Sequence, residues 1–242
     1  ETGVGKTSLI RHLAHTTQNS YRRLNLNGQT TVDEFVGKTL LNEKGTYWVD
    51  GVLTEALRKG YWLILDELNA ALPEILFVLH SLLDDDNYIV LADHNGEIVR
   101  PHPEFRIFAT MNPSGRYAGT KDLNKALLSR FPMILKIDFP DENQEVDIVM
   151  HYSSDSKVPD TARAKWKGEV SNLVRMARNL RENYAKDEME FVVSTRDLIS
   201  TAKLADGAVA TAKIPDGAVT LAKIADAAKA SAATPNLLMV RD

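Results

Sequence analysis

Gly3, Gly5, Lys6 and Thr7 stand at the spacing of a loop that holds phosphate. The opening Glu1-Thr2-Gly3-Val4-Gly5-Lys6-Thr7 fits G-x-x-x-x-G-K-[ST] at every position but the first Gly, which would lie just before Glu1. Glycines let successive N–H groups turn inward into an anion-binding nest. The helix expected from Lys6 to His15 adds its positive N-terminal end. In such a loop the Lys6 ammonium reaches the β- and γ-phosphates of a nucleoside triphosphate and the Thr7 hydroxyl ligates Mg2+, with Val4 and Ser8 completing the cradle. The bland alternative is a Gly-rich turn that happens to precede a helix.

A second pair of groups gives that loop a chemistry. Trp62-Leu63-Ile64-Leu65-Asp66-Glu67 is an apolar run ending in two acids. If it is a strand, both carboxylates lie at the carboxyl edge of a sheet, where a phosphate loop also sits. Asp66 would hold Mg2+ through its water shell, and Glu67 would orient and deprotonate an attacking water. The plainer reading is a strand running into the acidic N-cap of the next helix.

Three further residues are candidates. Phe108-Ala109-Thr110-Met111-Asn112-Pro113 reads as a strand ending at Asn112, whose amide could set a water against the γ-phosphate; taken alone, Asn-Pro reads as a turn. Arg130 ends a short helix beside Phe131, where a cation usually complements the helix dipole and could instead reach a neighbouring subunit's site. Arg196 follows Ser194 and Thr195, either of which reads as an N-cap. A cation in that first turn opposes the dipole, which hints at another use, such as reaching back to the γ-phosphate.

The elements that must position these groups are legible up to about Asp141 as alternating strands and helices. Arg23–Leu26, Tyr61–Asp66, Arg106–Thr110 and Met133–Ile137 read as strands. Gly51–Lys59, with Asp50 as N-cap, and Leu72–Leu83, with Pro73 in its first turn, read as helices, as does the short Leu123–Ser129. Tyr88–Leu91 and Glu97–Val99 flank a hairpin turn. Glu142–His151, Thr161–Ala185 and Ser194–Ala205 then read as helices. The expected division is an α/β nucleotide-binding core over 1–141, a helical lid over 142–203 and a repeat-like tail over 204–242. In the tail, Thr201-Ala202-Lys203-Leu204-Ala205-Asp206-Gly207-Ala208-Val209-Ala210 is nearly repeated ten residues on, with a degraded third copy from Leu221. Asp-Gly in each of the first two units predicts a turn between short strands. These units resemble the repeats of phage tail-fibre proteins; the alternative is an Ala-rich extension.

Composition narrows the classes. With 29 Lys and Arg against 33 Asp and Glu the net charge is −4, so no global basic signature points to nucleic acid. There are no cysteines, which excludes disulfides, thiolate metal sites and Cys nucleophiles and fits a cytoplasmic protein. No apolar run approaches the length of a membrane span.

In this order the five elements resemble an AAA+ ATPase module, closest to the dynein-related branch that includes midasin, the MoxR-type ATPases and the small subunit of cobaltochelatase. The closer likeness rests on Tyr47-Trp48-Val49-Asp50-Gly51-Val52-Leu53, Leu65-Asp66-Glu67-Leu68-Asn69, Leu82-Leu83-Asp84, Val99-Arg100-Pro101-His102-Pro103-Glu104-Phe105-Arg106, Phe108–Pro113 and Ala126-Leu127-Leu128-Ser129-Arg130-Phe131. It spans Glu1 to about Lys203. It implies a parallel sheet flanked by helices with a small helical lid, Mg2+-dependent ATP hydrolysis, and a ring of identical subunits, expected to be six. It implies that Gly3, Gly5, Lys6 and Thr7 form the Walker A loop and that Asp66 and Glu67 are Walker B. Asn112 would be sensor 1, Arg130 an arginine finger and Arg196 sensor 2. A hairpin around Glu43–Val49 would face the ring centre, with Tyr47 and Trp48 either substrate-facing or buried anchors, and Gly115, Arg116 and Tyr117 would lie at subunit contacts. The partner in this branch often carries a von Willebrand-type domain. Two departures stand out: the strand that should feed the phosphate loop precedes Glu1, leaving its neighbours with unpaired edges, and the lid runs into the repeat soon after Arg196. The leading function is a remodelling ATPase. A metal-chelatase motor subunit, a GTP-driven restriction motor and a structural virion protein with a passenger nucleotide domain are the alternatives.

Overall fold

The computed structural model describes residues 3–112, 122–153, 160–186 and 192–210. The chain divides between Ile137 and Asp138 into two units. In the first, the elements run α1 (Lys6–Thr16), β1 (Tyr21–Asn25), α2 (Val32–Phe35), β2 (Gly37–Asn42), β3 (Gly45–Asp50), α3 (Val52–Lys59), β4 (Trp62–Asp66), a 3-10 turn (Leu68–Ala70), α4 (Pro73–Leu82), β5 (Ile89–Leu91), β6 (Glu97–Val99), β7 (Arg106–Ala109) and α5 (Lys125–Leu128).

The sheet that carries the site has the order β1-β4-β7, all parallel. β4 is central and its residues Leu63, Ile64 and Leu65 are fully buried. Such a strand must be apolar on both faces, which is why its sequence runs on without alternation. Leu63 and Leu65 join a core with Leu53, Leu57, Ile75 and Leu79 from α3 and α4. Ile64 points to the opposite face, and Ile10 and Ala14 of α1, which packs on β4, are also buried. Register sets the site: Asn25 lies opposite Asp66, and Leu65 opposite Ala109, so the ends of three strands come level.

Two antiparallel hairpins decorate the sheet. β2–β3 turns at Asn42–Gly45, where Asn42 Oδ1 accepts from the Lys44 N–H at 2.8 Å and Gly45 takes φ 116. Gly37 opens this hairpin at φ 135, and a Cβ there would lie 2.4 Å from the Trp48 ring. Tyr47 is 44% exposed, whereas Trp48 packs on the core, stacks on His94 and donates from Nε1 to Asp50 at 2.7 Å. The two residues therefore part company, one outward and one an anchor. β5–β6 forms the second hairpin, with Asn95 and Gly96 at positive φ in its turn.

Three sequence expectations are corrected. Asp50 does not cap α3: its carboxylate closes the hairpin through Trp48 and Arg58, and Gly51 takes the cap position without a side-chain bond. Met133–Ile137 forms no strand. Among the described residues β7 pairs with β4 alone and this segment finds no strand to pair with, and Met133, Ile134 and Leu135 are 61–71% exposed. Third, the Asp206-Gly207 turn is absent, because the helix that starts at Thr195 runs on to Ala210 through the whole first repeat. Four alanines in that decapeptide outweigh one helical Gly, which costs about 1 kcal/mol. The later copies lie outside the described residues.

In the second unit α6 (Glu142–Ser153), α7 (Asp160–Ala185) and α8 (Thr195–Ala210) pack together. Val149, Val170, Val174 and Ala202 are buried at their centre. The Glu145 carboxylate, fully buried, takes both terminal nitrogens of Arg181 at 2.8 Å and the Thr195 hydroxyl at 2.6 Å. Arg181 Nε donates to the Val193 carbonyl at 2.6 Å, and its guanidinium lies 3.7 Å from the Phe139 ring centre. No helix among the described residues is long and apolar enough to cross a membrane.

Candidate functional site

The phosphate loop has the backbone its chemistry needs. Gly3 and Gly5 take φ 70 and φ 96, a region that strains any residue with a Cβ. Gly5 is the N-cap of α1, and nothing lies within 4 Å of where its Cβ would be. The N-terminal end of this eleven-residue helix is thus open at Gly5, which suits an anion. Ser8 is exposed in the first turn of that helix.

Four of the expected residues come together here. The Thr7 hydroxyl donates to Asp66 Oδ1 at 2.7 Å, and Lys6 Nζ donates to Asn112 Oδ1 at 2.8 Å. Asp66 is buried at the end of β4, where its Oδ1 also accepts the Thr110 hydroxyl at 2.8 Å and its Oδ2 accepts from Arg23 Nε. A buried carboxylate is tolerated only when its lone pairs are satisfied in this way. Glu67 follows in the left-handed region, φ 60 and ψ 44, which costs a non-Gly residue of order 1 kcal/mol or more. The turn is held by three bonds: the Glu67 N–H donates to Thr110 Oγ1 at 3.4 Å, the Leu68 N–H to the Thr110 carbonyl at 2.9 Å, and the Ala70 N–H to the Glu67 carbonyl at 2.8 Å. The kink turns the Glu67 side chain off the strand, and that residue is exposed.

Three residues that sequence reading missed complete the arrangement. Thr110 ties β7 to both acids. Arg23 comes from β1, on the face that register gives it with Ile64 and Asp66. Asn69 is buried at 3% exposure and donates from Nδ2 to the Asn112 carbonyl at 3.0 Å; its own Oδ1 has no partner among the described residues. The signal available was the polar cluster Asp66, Glu67 and Asn69 at the end of the strand, but its partners depend on tertiary register.

The remaining candidates are placed elsewhere. Arg130 donates from Nε to Asp84 Oδ1 at 2.9 Å and from Nη1 to the Ala126 carbonyl at 2.6 Å, and its Nη2 lies 2.9 Å from the same Asp84 oxygen in an ion pair. Arg196 lies in the second unit, exposed in the first turn of α8. Ser194 is the cap there: its N–H and hydroxyl both donate to Asp197, at 2.8 and 2.7 Å. Gly115, Arg116 and Tyr117 lie outside the described residues.

The donor set suits a nucleoside triphosphate with a hard divalent ion. Mg2+ in such sites is held by one carboxylate, one hydroxyl, phosphate oxygens and waters rather than by a protein cage. Thr7 and Asp66 supply that pair, and among the described residues no group of three or more His, Cys, Asp or Glu assembles.

An open loop at a helix N-terminus beside the ends of three parallel strands defines a P-loop nucleotide-binding core. The chain belongs to the AAA domain (dynein-related subfamily), whose family profile matches residues 1–131. The CbbQ/NirQ/NorQ C-terminal profile matches residues 145–234. That match runs through the ten-residue repeat, and the likeness of the repeat to tail-fibre proteins gains no support. Midasin of Dictyostelium discoideum is 41% identical over 145 residues, 60% of this chain and 2% of that protein. The aerobic cobaltochelatase subunit CobS of Sinorhizobium sp is 30% identical over 213 residues, 84% of this chain and 62% of that protein. The chain thus spans a small part of midasin and under two thirds of CobS. Among solved structures, a proposed ATPase from Cytophaga hutchinsonii superposes with a TM-score of 0.50 at 18% identity, covering 69% of this chain and 51% of that one, and shares the fold.

Proposed function

We propose that this chain hydrolyses ATP with Mg2+ as a subunit of a six-membered ring and uses the step to remodel a partner protein. The observation that carries the reading is the convergence of Lys6, Thr7, Asp66 and Asn112, with Thr7 Oγ1 2.7 Å from Asp66 and Lys6 2.8 Å from Asn112. The loop N–H groups and Lys6 bind the phosphates. Thr7 and Asp66 would hold Mg2+, which would supply positive charge to the transferred phosphoryl group. When Lys6 turns to phosphate oxygens, the Asn112 amide oxygen is free to accept from the attacking water. Glu67 takes that water's proton as its oxygen bonds to the γ-phosphorus and the bond to ADP breaks. Arg130 serves the neighbouring subunit's site and Arg196 senses the γ-phosphate from the helical unit.

The identity to CobS over 84% of this chain supports a second reading, in which the remodelled partner is a metal-inserting complex. A partner bearing a von Willebrand-type domain fits the first reading, and a cysteine-free chain suits work in the cytoplasm. No observation supports a virion fibre.

The test is ATP turnover in the parent, Glu67→Gln and Arg130→Ala. Turnover that rises with protein concentration and falls by about 100-fold or more in both variants, with Glu67→Gln still binding ATP, is expected. Turnover independent of concentration, or unchanged in either variant, refutes shared sites.

A further inference from the structure

We infer that Asp84 is the residue that positions Arg130 for its neighbour's site, an inference that rests on the reading of Arg130 as acting in trans. The two side chains come from different elements. Asp84 follows the last turn of α4, where Leu82 is buried at 1% exposure, and Arg130 follows α5, where Leu127 is fully buried. α4 and α5 pack on one another, and Phe131 packs on the same core. Both ends of the pair are therefore fixed by buried neighbours two or three residues away.

The bonding pattern is that of a clamp. Asp84 Oδ1 takes Nε and Nη2, and the Ala126 carbonyl takes Nη1, at 2.6–2.9 Å. A guanidinium has five N–H groups; among the described residues Nε and Nη1 each use one, and Nη2 is held beside Asp84. Among those residues at least one N–H on each terminal nitrogen has no hydrogen-bond partner, a pair that suits phosphate oxygens. The Arg130 side chain is 27% exposed and that of Asp84 53%. An ion pair this exposed adds little to stability. What the clamp does supply is order: a long side chain already held in one rotamer loses less entropy when it meets its target. It also holds the arginine's charge in place before the neighbour arrives.

The variants Asp84→Ala, Asp84→Glu and Arg130→Ala, with the parent, separate the outcomes. Expected for Asp84→Ala is a fall in kcat of about 10- to 100-fold with KM for ATP nearly unchanged, a smaller loss than in Arg130→Ala, and partial recovery in Asp84→Glu. The double variant should be no worse than Arg130→Ala. A mixing assay gives the second readout. Asp84→Ala subunits keep an intact site and Glu67→Gln subunits keep an intact clamp, so mixing the two should raise turnover above the sum of the separate proteins. If Arg130→Ala loses activity while Asp84→Ala does not, or if mixing adds nothing to that sum, the positioning role is wrong. If Arg130→Ala itself is active, the underlying reading of Arg130 has failed instead.

Discussion

The buried Glu145–Arg181 pair shows how much a single residue can decide. Glu145 is fully buried and Arg181 is 9% exposed, so neither charge can fall back on water. Removing one partner leaves the other uncompensated, which costs about 3–5 kcal/mol, whereas replacing both with apolar groups can be nearly neutral. Arg181→Met should lower the stability of the helical unit by that amount in urea unfolding, and Arg181→Met with Glu145→Leu should recover most of it. Nothing at the sequence level marked this pair, since Glu145 and Arg181 look like ordinary helix-surface charges until α6 and α7 are packed. The phosphate loop is the opposite case. Gly3, Gly5, Lys6 and Thr7 are local in sequence, and their required φ values follow from residue type alone. Arg23, Asn69 and Thr110 lie between these extremes: each is polar and near a strand end or turn, yet what each touches is set by the β1–β4–β7 register.

At the scale of elements, β1 is joined to α3 by charge as well as by packing. Arg22 Nε and Nη2 each donate to Glu55, at 2.9 Å, and Lys59 reaches the same carboxylate one turn later. Arg22 first, then Lys59, hold the Glu55 carboxyl down at about 2. An unfolded Glu titrates near 4.3, so the folded form binds its proton less readily. The resulting stabilisation is complete above that unfolded value and fades as pH falls from about 4.5 to about 2. Glu55→Gln should therefore unfold at lower urea than the parent at pH 7, and the gap between them should close between pH 4.5 and 2. Strand and helix spans were readable because burial on both faces and helical spacing leave distinct patterns, as at Trp62–Asp66 and Pro73–Leu82. Met133–Ile137 reads as a strand yet pairs with none among the described residues, because an apolar run states only that a segment can pair. The first repeat was misread because Asp-Gly suggested a turn, while its alanines carried α8 onward.

The whole molecule is two units with separate cores. The α/β character of the first and the helical character of the second were both visible in periodicity. Which charges each unit would bury was not, because burial is a property of the assembled core. Each unit buries its own apolar cluster, so cooperative unfolding belongs to the unit rather than to the chain. A calorimeter should resolve two heat-absorption peaks, and Arg181→Met should lower the one that belongs to the helical unit more than the other. Where two transitions separate, no single melting temperature describes the protein.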